Sequence, residues 1–244
     1  MQTFDIIIVG AGQLEHGSFA ERIEAHFGAL PRGKPTVRQP ARYVGGARHV
    51  DQDFDQTAVI AGWPTPPRSD PAFAACELLA ELLGGGASSP LFQQIRERHG
   101  LAYRVDAWLD SHDEGGTLQI SAGVSSRNLV AFFDRVGEVL QAVAGRIEPD
   151  DLERTHNQRA MFLAQRQERP LDLAEAVALD LLTRGRIRTA EERQASERAL
   201  GADILTATMR DLLATPPSLV LVGRAGRGDL LGRLKNRLGV GPAT

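Results

Sequence analysis

The spacing of apolar residues changes period several times along the chain, and each change marks an element. Asp5-Ile-Ile-Ile-Val9 is a continuous β-branched run, the composition of a strand buried on both faces, ended by Gly10-Ala-Gly12. Ser18 then offers an N-cap, and Phe19, Ile23 and Phe27 recur at helical spacing until Gly28. Between Leu30 and Gly46 three prolines and three glycines interrupt any period, which predicts a linker and a domain boundary. Gln56–Gly62 reads as a strand broken by Trp63-Pro-Thr-Pro-Pro67. Ser69 or Asp70 caps a helix with Pro71 in its first turn, running through Leu78, Leu79, Leu82 and Leu83 to Gly84-Gly-Gly86. Ser88-Ser-Pro-Leu91 opens a second helix carrying Phe92 and Ile95. The runs Tyr103–Ser111 and Thr117–Val124, joined by His112-Asp-Glu-Gly-Gly116, predict an antiparallel hairpin. Helical patterns follow at 128–144, 149–169, 171–184, 190–200 and 202–214, with Pro170 separating two of them. Ser218–Val222 reads as a strand and Leu230–Leu238 as a short helix.

A weak repeat links the two ends. Ile6-Ile-Ile-Val-Gly10 and the helix closing at Phe27-Gly28 approximately match Leu219-Val-Leu-Val-Gly223 and the helix closing at Leu238-Gly239, with a glycine-to-glycine spacing of 18 in the first and 16 in the second. This predicts residues 1–48 as the closing strand, helix and linker of one structural unit, and residues 49–244 as a complete second unit ending the same way.

Composition removes several function classes. At 244 residues, 42% hydrophobic and 24% charged, the chain resembles an ordinary globular protein rather than a disordered or fibrous one. No apolar run reaches membrane-span length, and the start lacks a basic n-region followed by a cleavage site. The expectation is no membrane partner and a cytoplasmic location for the chain as it stands, or a periplasmic one if a signal segment precedes it. A net charge of −3 and a pI near 6.1 give no reason to expect nucleic acid. The basic stretch Arg184-Gly-Arg-Ile-Arg188 has no interleaved aromatic residue and reads as a solvated loop. The single cysteine, Cys76, excludes an intramolecular disulfide and reads as a buried helical thiol.

Three motifs invite chemistry. Gly10-Ala-Gly12 after a strand-like run suggests a dinucleotide site, yet the third glycine position holds Glu15, whose carboxylate repels phosphate. Glu15-His16 matches the end of a His-x-x-Glu-His zinc motif, but position 12, where the first histidine belongs, is Gly12. The other histidines have no partner three or four residues away, so no zinc site is expected within this chain. The third is the string Leu82-Leu-Gly-Gly-Gly-Ala-Ser-Ser-Pro-Leu-Phe-Gln-Gln-Ile-Arg-Glu-Arg-His-Gly-Leu-Ala-Tyr103.

That string resembles the signature of the C-terminal domains of the M16 (pitrilysin/insulinase-like) zinc peptidases. Gly62-Trp-Pro-Thr-Pro-Pro-Arg-Ser-Asp-Pro71 resembles the same family's strand-to-helix turn. The resemblance implies an α+β fold, an antiparallel sheet with helices packed on one face, like one half of the LuxS/mitochondrial-processing-peptidase-like architecture. It implies that zinc belongs to the other half of a peptidase, and that this half contributes an arginine and, seven residues on, a tyrosine to the shared site. Arg96 and Tyr103 have that spacing. Arginine offers a planar fork of donors to peptide carbonyls, and a tyrosine hydroxyl can donate to the oxyanion formed when water attacks the scissile bond. The run Gly84, Gly85 and Gly86 resembles a flexible segment that meets substrate, although Ala87 and Pro90 stand where larger or basic residues are frequent. The partners so implied are a zinc-bearing M16-like domain or subunit and a peptide substrate, with a homodimer also allowed. Three readings stand at this point: the substrate-binding, non-metal half of an M16-like zinc metalloendopeptidase, itself inactive alone; a non-catalytic assembly subunit of the same fold; and a nucleotide-cofactor oxidoreductase using Gly10-x-Gly12.

Overall fold

Strand β1 (Gly46–Val50) is followed by β2 (Thr57–Thr65), β3 (Ala102–His112), β4 (Gly115–Val124) and β5 (Ser218–Val222), which form one sheet in the order β1-β5-β2-β4-β3. The structure, a computed structural model, describes residues 6–30, 41–112, 114–226 and 228–239. All described pairings are antiparallel except β1 with β5. Alternation decides which face is covered: Val59, Ala61 and Trp63 of β2, Leu118, Ile120 and Val124 of β4, and Leu219 and Leu221 of β5 are buried. The intervening Ile60 and Val220 pair with each other on the open face and are about 40% exposed (39% and 41%).

The α-helices among the described residues are α1 (His16–Phe27), α2 (Phe73–Gly84), α3 (Leu129–Gly145), α4 (Pro149–Glu168), α5 (Pro170–Arg184), α6 (Ala190–Arg198), α7 (Ala202–Ala214) and α8 (Leu230–Leu238), and a π-helix spans Phe92–Arg98. The chain gathers into two compact units: residues 41–159 with 195–244, and residues 1–40 with 160–194, each in its described part. In the larger unit α2 packs on β3 and β4, α7 on β2, and α3 on α7 and α8, so the core is a sheet covered by helices on its buried face. Its largest side chains, Trp63, Phe73, Phe132 and Phe133, are fully buried, and Phe132 meets Phe133 edge to face at 5.3 Å.

The fold agrees with the expected α+β architecture, and several local expectations change. Residues 6–9 form no strand; none of the five described strands offers them a ladder, and Ile6, Ile7 and Ile8 are exposed. The cap of α1 is Glu15 rather than Ser18: its two carboxylate oxygens each accept an amide, from Gly17 and from Ser18, at 2.7 Å. Strand β2 continues through Pro64 instead of stopping at Trp63. Strand β5 pairs with β2 only as far as Gly62, so on that side Pro64 has no ladder bond to lose. Strand β1 appears where no alternation marks it, and just before it the Tyr43 hydroxyl donates to the Gly62 carbonyl at 2.9 Å and accepts from Ser218 Oγ at 3.0 Å.

The basic stretch is not a freely solvated loop. In the smaller unit, Arg188 donates to Asp180 through its backbone N–H (2.9 Å) and its guanidinium (3.0 Å), and Arg193 adds a bond of 2.9 Å. Arg184 Nε lies 3.7 Å from the same carboxylate. Asp180 is buried, and this convergence is what makes its burial tolerable.

Candidate functional site

The string from Gly84 to Tyr103 is built on α2, the π-helix and the start of β3. Ser89 sets up the second helix: its Oγ accepts from the Phe92 amide at 3.4 Å, and Pro90 needs no such partner. The helix then widens into π turns over Phe92–Arg98 and ends where the Leu101 amide bonds to Ile95 O at 2.8 Å. Wide turns of this kind are uncommon and recur at functional positions. Ile95 points into the core and is fully buried, which leaves Phe92 and Arg96 toward the surface.

A second irregularity follows at once. The β3–β4 register shifts between Ala102 and Val105, placing a bulge at Tyr103-Arg104. Ala102 and Val105 therefore both reach the core, while Tyr103 and Arg104 turn outward and Tyr103 is 76% exposed. Arg104 is held by Asp106 at 2.5 Å. A regular strand would give 102 and 105 opposite faces.

These two irregularities bring the predicted pair together. The Arg96 guanidinium carbon lies 4.6 Å from the centre of the Tyr103 ring and 4.7 Å from that of Phe92. Arg96 Nε sits 3.6 Å from the Glu97 carboxylate. Among the described residues no hydrogen bond engages the Tyr103 hydroxyl. The pair therefore presents, on an exposed surface, a forked cation beside a phenol with an uncommitted donor, which suits a peptide carbonyl and a developing oxyanion. Phe92 was not singled out in the sequence, although its spacing of four from Arg96 on a helix is a usable signal.

The glycine run has packing reasons. A Cβ on Gly84 would stand 2.3 Å from the Ala107 backbone nitrogen, so glycine lets the end of α2 close on β3. On Gly85 it would stand 2.5 Å from Glu81 O, and Gly86 has φ +148°. The segment is also tied: Ser89 N–H donates to Gly86 O at 3.0 Å and Gln93 Nε2 to Ala87 O at 2.7 Å. None of the three glycines has a described bond to Arg96 or Tyr103. Near this run, burial pushes the Glu81 carboxyl up while Arg159 and Arg154 oppose it. Arg159 instead makes a forked bond to Glu197, at 2.7 and 3.1 Å.

A groove of about 530 Å³ lies elsewhere, floored by Leu82, Val139, Val143 and Ile147. It includes neither Arg96 nor Tyr103, and its shape alone assigns it no chemistry. Cys76 is buried, and burial pushes its thiol up to about 12, which leaves it unreactive. The zinc that the resemblance implies has no fitting donor set here, because among the described residues no three His, Cys, Asp or Glu side chains converge as a metal site. The dinucleotide reading loses its anion site as well. The first-turn amides that would hold a pyrophosphate are occupied by Glu15's own carboxylate, and no strand leads into the turn from residues 6–9.

Comparison with known proteins gives the family and the fold. The family model described as "Peptidase M16 inactive domain" matches residues 2–159. An "uncharacterized zinc protease" of Rickettsia felis is 26% identical over 214 residues, covering 87% of this chain and 52% of that protein. A Mycobacterium leprae "uncharacterized zinc protease" is 36% identical over 146 residues, covering 57% of this chain and 33% of that protein. Among solved structures, a peptidase M16 inactive domain from Pseudomonas fluorescens superposes with a TM-score of 0.72 at 21% identity, over 86% of this chain and 52% of that one. A chain of complex III2 from Candida albicans superposes with a TM-score of 0.80 at 14% identity, over 92% and 56%. The chain thus spans about half the length of the Rickettsia relative, and it belongs to the peptidase M16 inactive-domain family.

Proposed function

We propose that this chain is the substrate-binding, non-metal half of an M16-like zinc metalloendopeptidase and completes the active site of a zinc-bearing domain or subunit. The observation that carries the reading is the contact between Arg96 and Tyr103 at 4.6 Å, made on an exposed surface by two departures from regular structure. In this role the outward N–H groups of Arg96 hold backbone carbonyls of an extended peptide. The Tyr103 hydroxyl donates to the charge growing on the scissile carbonyl oxygen. The bond-breaking metal chemistry belongs to the other half.

Residues 6–28 support the same reading of the partner. They match in sequence the strand and helix β5–α8, and β5 lies inside the sheet between β1 and β2. Both helices are capped by a carboxylate, Glu15 in one and Asp229 in the other. Yet α8 buries Leu230, Leu234 and Leu238 whereas α1 buries nothing. A strand-like run and a helix so exposed fit the sheet of the zinc-bearing domain, the role the repeat suggests for residues 6–28, whereas residues 46–48 belong to β1 of this chain's own sheet.

The test is reconstitution with a zinc-bearing M16-like half and a quenched peptide. The pair should cleave while this chain alone does not, and Arg96→Ala and Tyr103→Phe should each lower kcat/KM on the order of 10²-fold, for Tyr103 as the loss of an oxyanion donor and for Arg96 as the loss of the fork that holds the peptide. Full cleavage by both variants would leave the assembly-subunit reading ahead. The likeness of fold to a complex III2 chain is what keeps that second reading in view.

A further inference from the structure

The Arg96 guanidinium on the π-helix is flanked by two aromatic rings, Phe92 at 4.7 Å and Tyr103 at 4.6 Å. Resting on the peptidase reading above, we infer that Phe92 is a positioning residue: it does not touch the reacting atoms, but holds the Arg96 guanidinium in the orientation that receives the peptide. Three features support this. Residues four apart point within about 40° of one another on a helix, so Phe92 lies along the stem of Arg96 whatever the local pitch. Ile95, fully buried, anchors the intervening turn in the core. The Glu97 carboxylate sits on the Nε side at 3.6 Å, which leaves the terminal Nη groups as the outward donors.

An unsupported arginine has many rotamers, and substrate binding would have to freeze them. Rings beside the guanidinium reduce that loss beforehand, and the N–H groups turned away from them remain as donors. The recognised group is therefore a hydrogen-bond acceptor, a backbone carbonyl or a carboxylate.

The experiment compares Phe92→Leu, which keeps apolar bulk without a ring, with Phe92→Trp, which restores a ring. In the full chain alone, proton NMR should show Arg96 side-chain resonances displaced by ring currents, diminished in F92L and again displaced in F92W. With a zinc-bearing half, F92L should raise KM about three- to ten-fold with kcat nearly unchanged, the size of a half-exposed cation–π contact, and F92W should restore it. Arg96 resonances in F92L that stay at their wild-type positions would overturn the inference. So would equal impairment of F92L and F92W, or a loss confined to kcat. If no zinc-bearing half yields cleavage, the function proposed above fails, and the NMR arm still decides the role of Phe92. Thermal melts of both variants identify any that fails to fold, in which case the other is read against wild type.

Discussion

Replacing Gly84 by alanine separates packing from substrate contact in the glycine run. The added Cβ would meet the Ala107 backbone nitrogen at 2.3 Å and the Ala107 Cβ at 2.7 Å, roughly 1 Å inside ordinary contact. Because the obstacle is a strand backbone held on the β3–β4 ladder, relief requires the end of α2 to lift from β3. Overpacking of this kind costs about 1–3 kcal/mol. Alanine in a helix returns about 0.5–1 kcal/mol relative to glycine, so the net loss is about 0–2.5 kcal/mol, centred near 1. For a chain of this size a loss of about 1 kcal/mol lowers the melting temperature by about 2–4 °C. Gly145→Ala is the matched control: it lies at the end of α3, nothing lies within 4 Å of the added Cβ, and it should be neutral or stabilising. Both are measured by circular dichroism melts of the full chain. A G84A melt at or above wild type, together with a raised KM in the reconstituted enzyme, would refute the packing account and assign the residue to substrate contact.

Two further perturbations test the charge networks. Burial works to raise the Asp180 carboxyl and its bonds from Arg188 outweigh this, so it titrates below its usual range. Its stabilisation is present above its unfolded value, near pH 3.9, and is lost as pH falls through the lower folded value. Asp180→Ala should therefore destabilise residues 160–194 by about 2–3 kcal/mol at pH 7, by amide exchange, with the gap to wild type narrowing at more acid pH; a pH-independent gap would refute the charge argument. Arg159→Ala should cost about 3 kcal/mol in urea unfolding, because it strands Glu197, 8% exposed, without its forked partner. A smaller effect than an exposed pair such as Arg146–Glu148 would contradict that.

Much of this protein was legible because its signals are local. The hairpin of β3 and β4, the strand Ser218–Val222 and the helices at 202–214 and 230–238 follow from periodicity, caps and breakers, all acting within a few residues. The spacing of seven between Arg96 and Tyr103 is likewise in the sequence, and so is the M16-like string around it. Strand β1 was not legible, because Gly46–Val50 has no alternation and owes its form to a parallel ladder with β5, some 170 residues away. Residues 6–9 show the converse: a β-branched run strong in propensity remains unpaired where no described strand offers it bonds. Asp180 illustrates the same limit, since Arg184 and Arg188 read as solvated charge until a buried carboxylate collects them together with Arg193.

Periodicity, caps and breakers act over a few residues and marked most of the helices and strands β2 to β5 in order, and the resemblance of the string 82–103 to the M16 signature is what pointed to Arg96 and Tyr103. Only the tertiary structure decided that Arg96 and Tyr103 meet, because their contact depends on a π-helical turn and a β-bulge. The π-helix spans Phe92–Arg98 and the bulge adds one residue to β3, and with them Ile95, Ala102 and Val105 all reach the core while Arg96 and Tyr103 face outward.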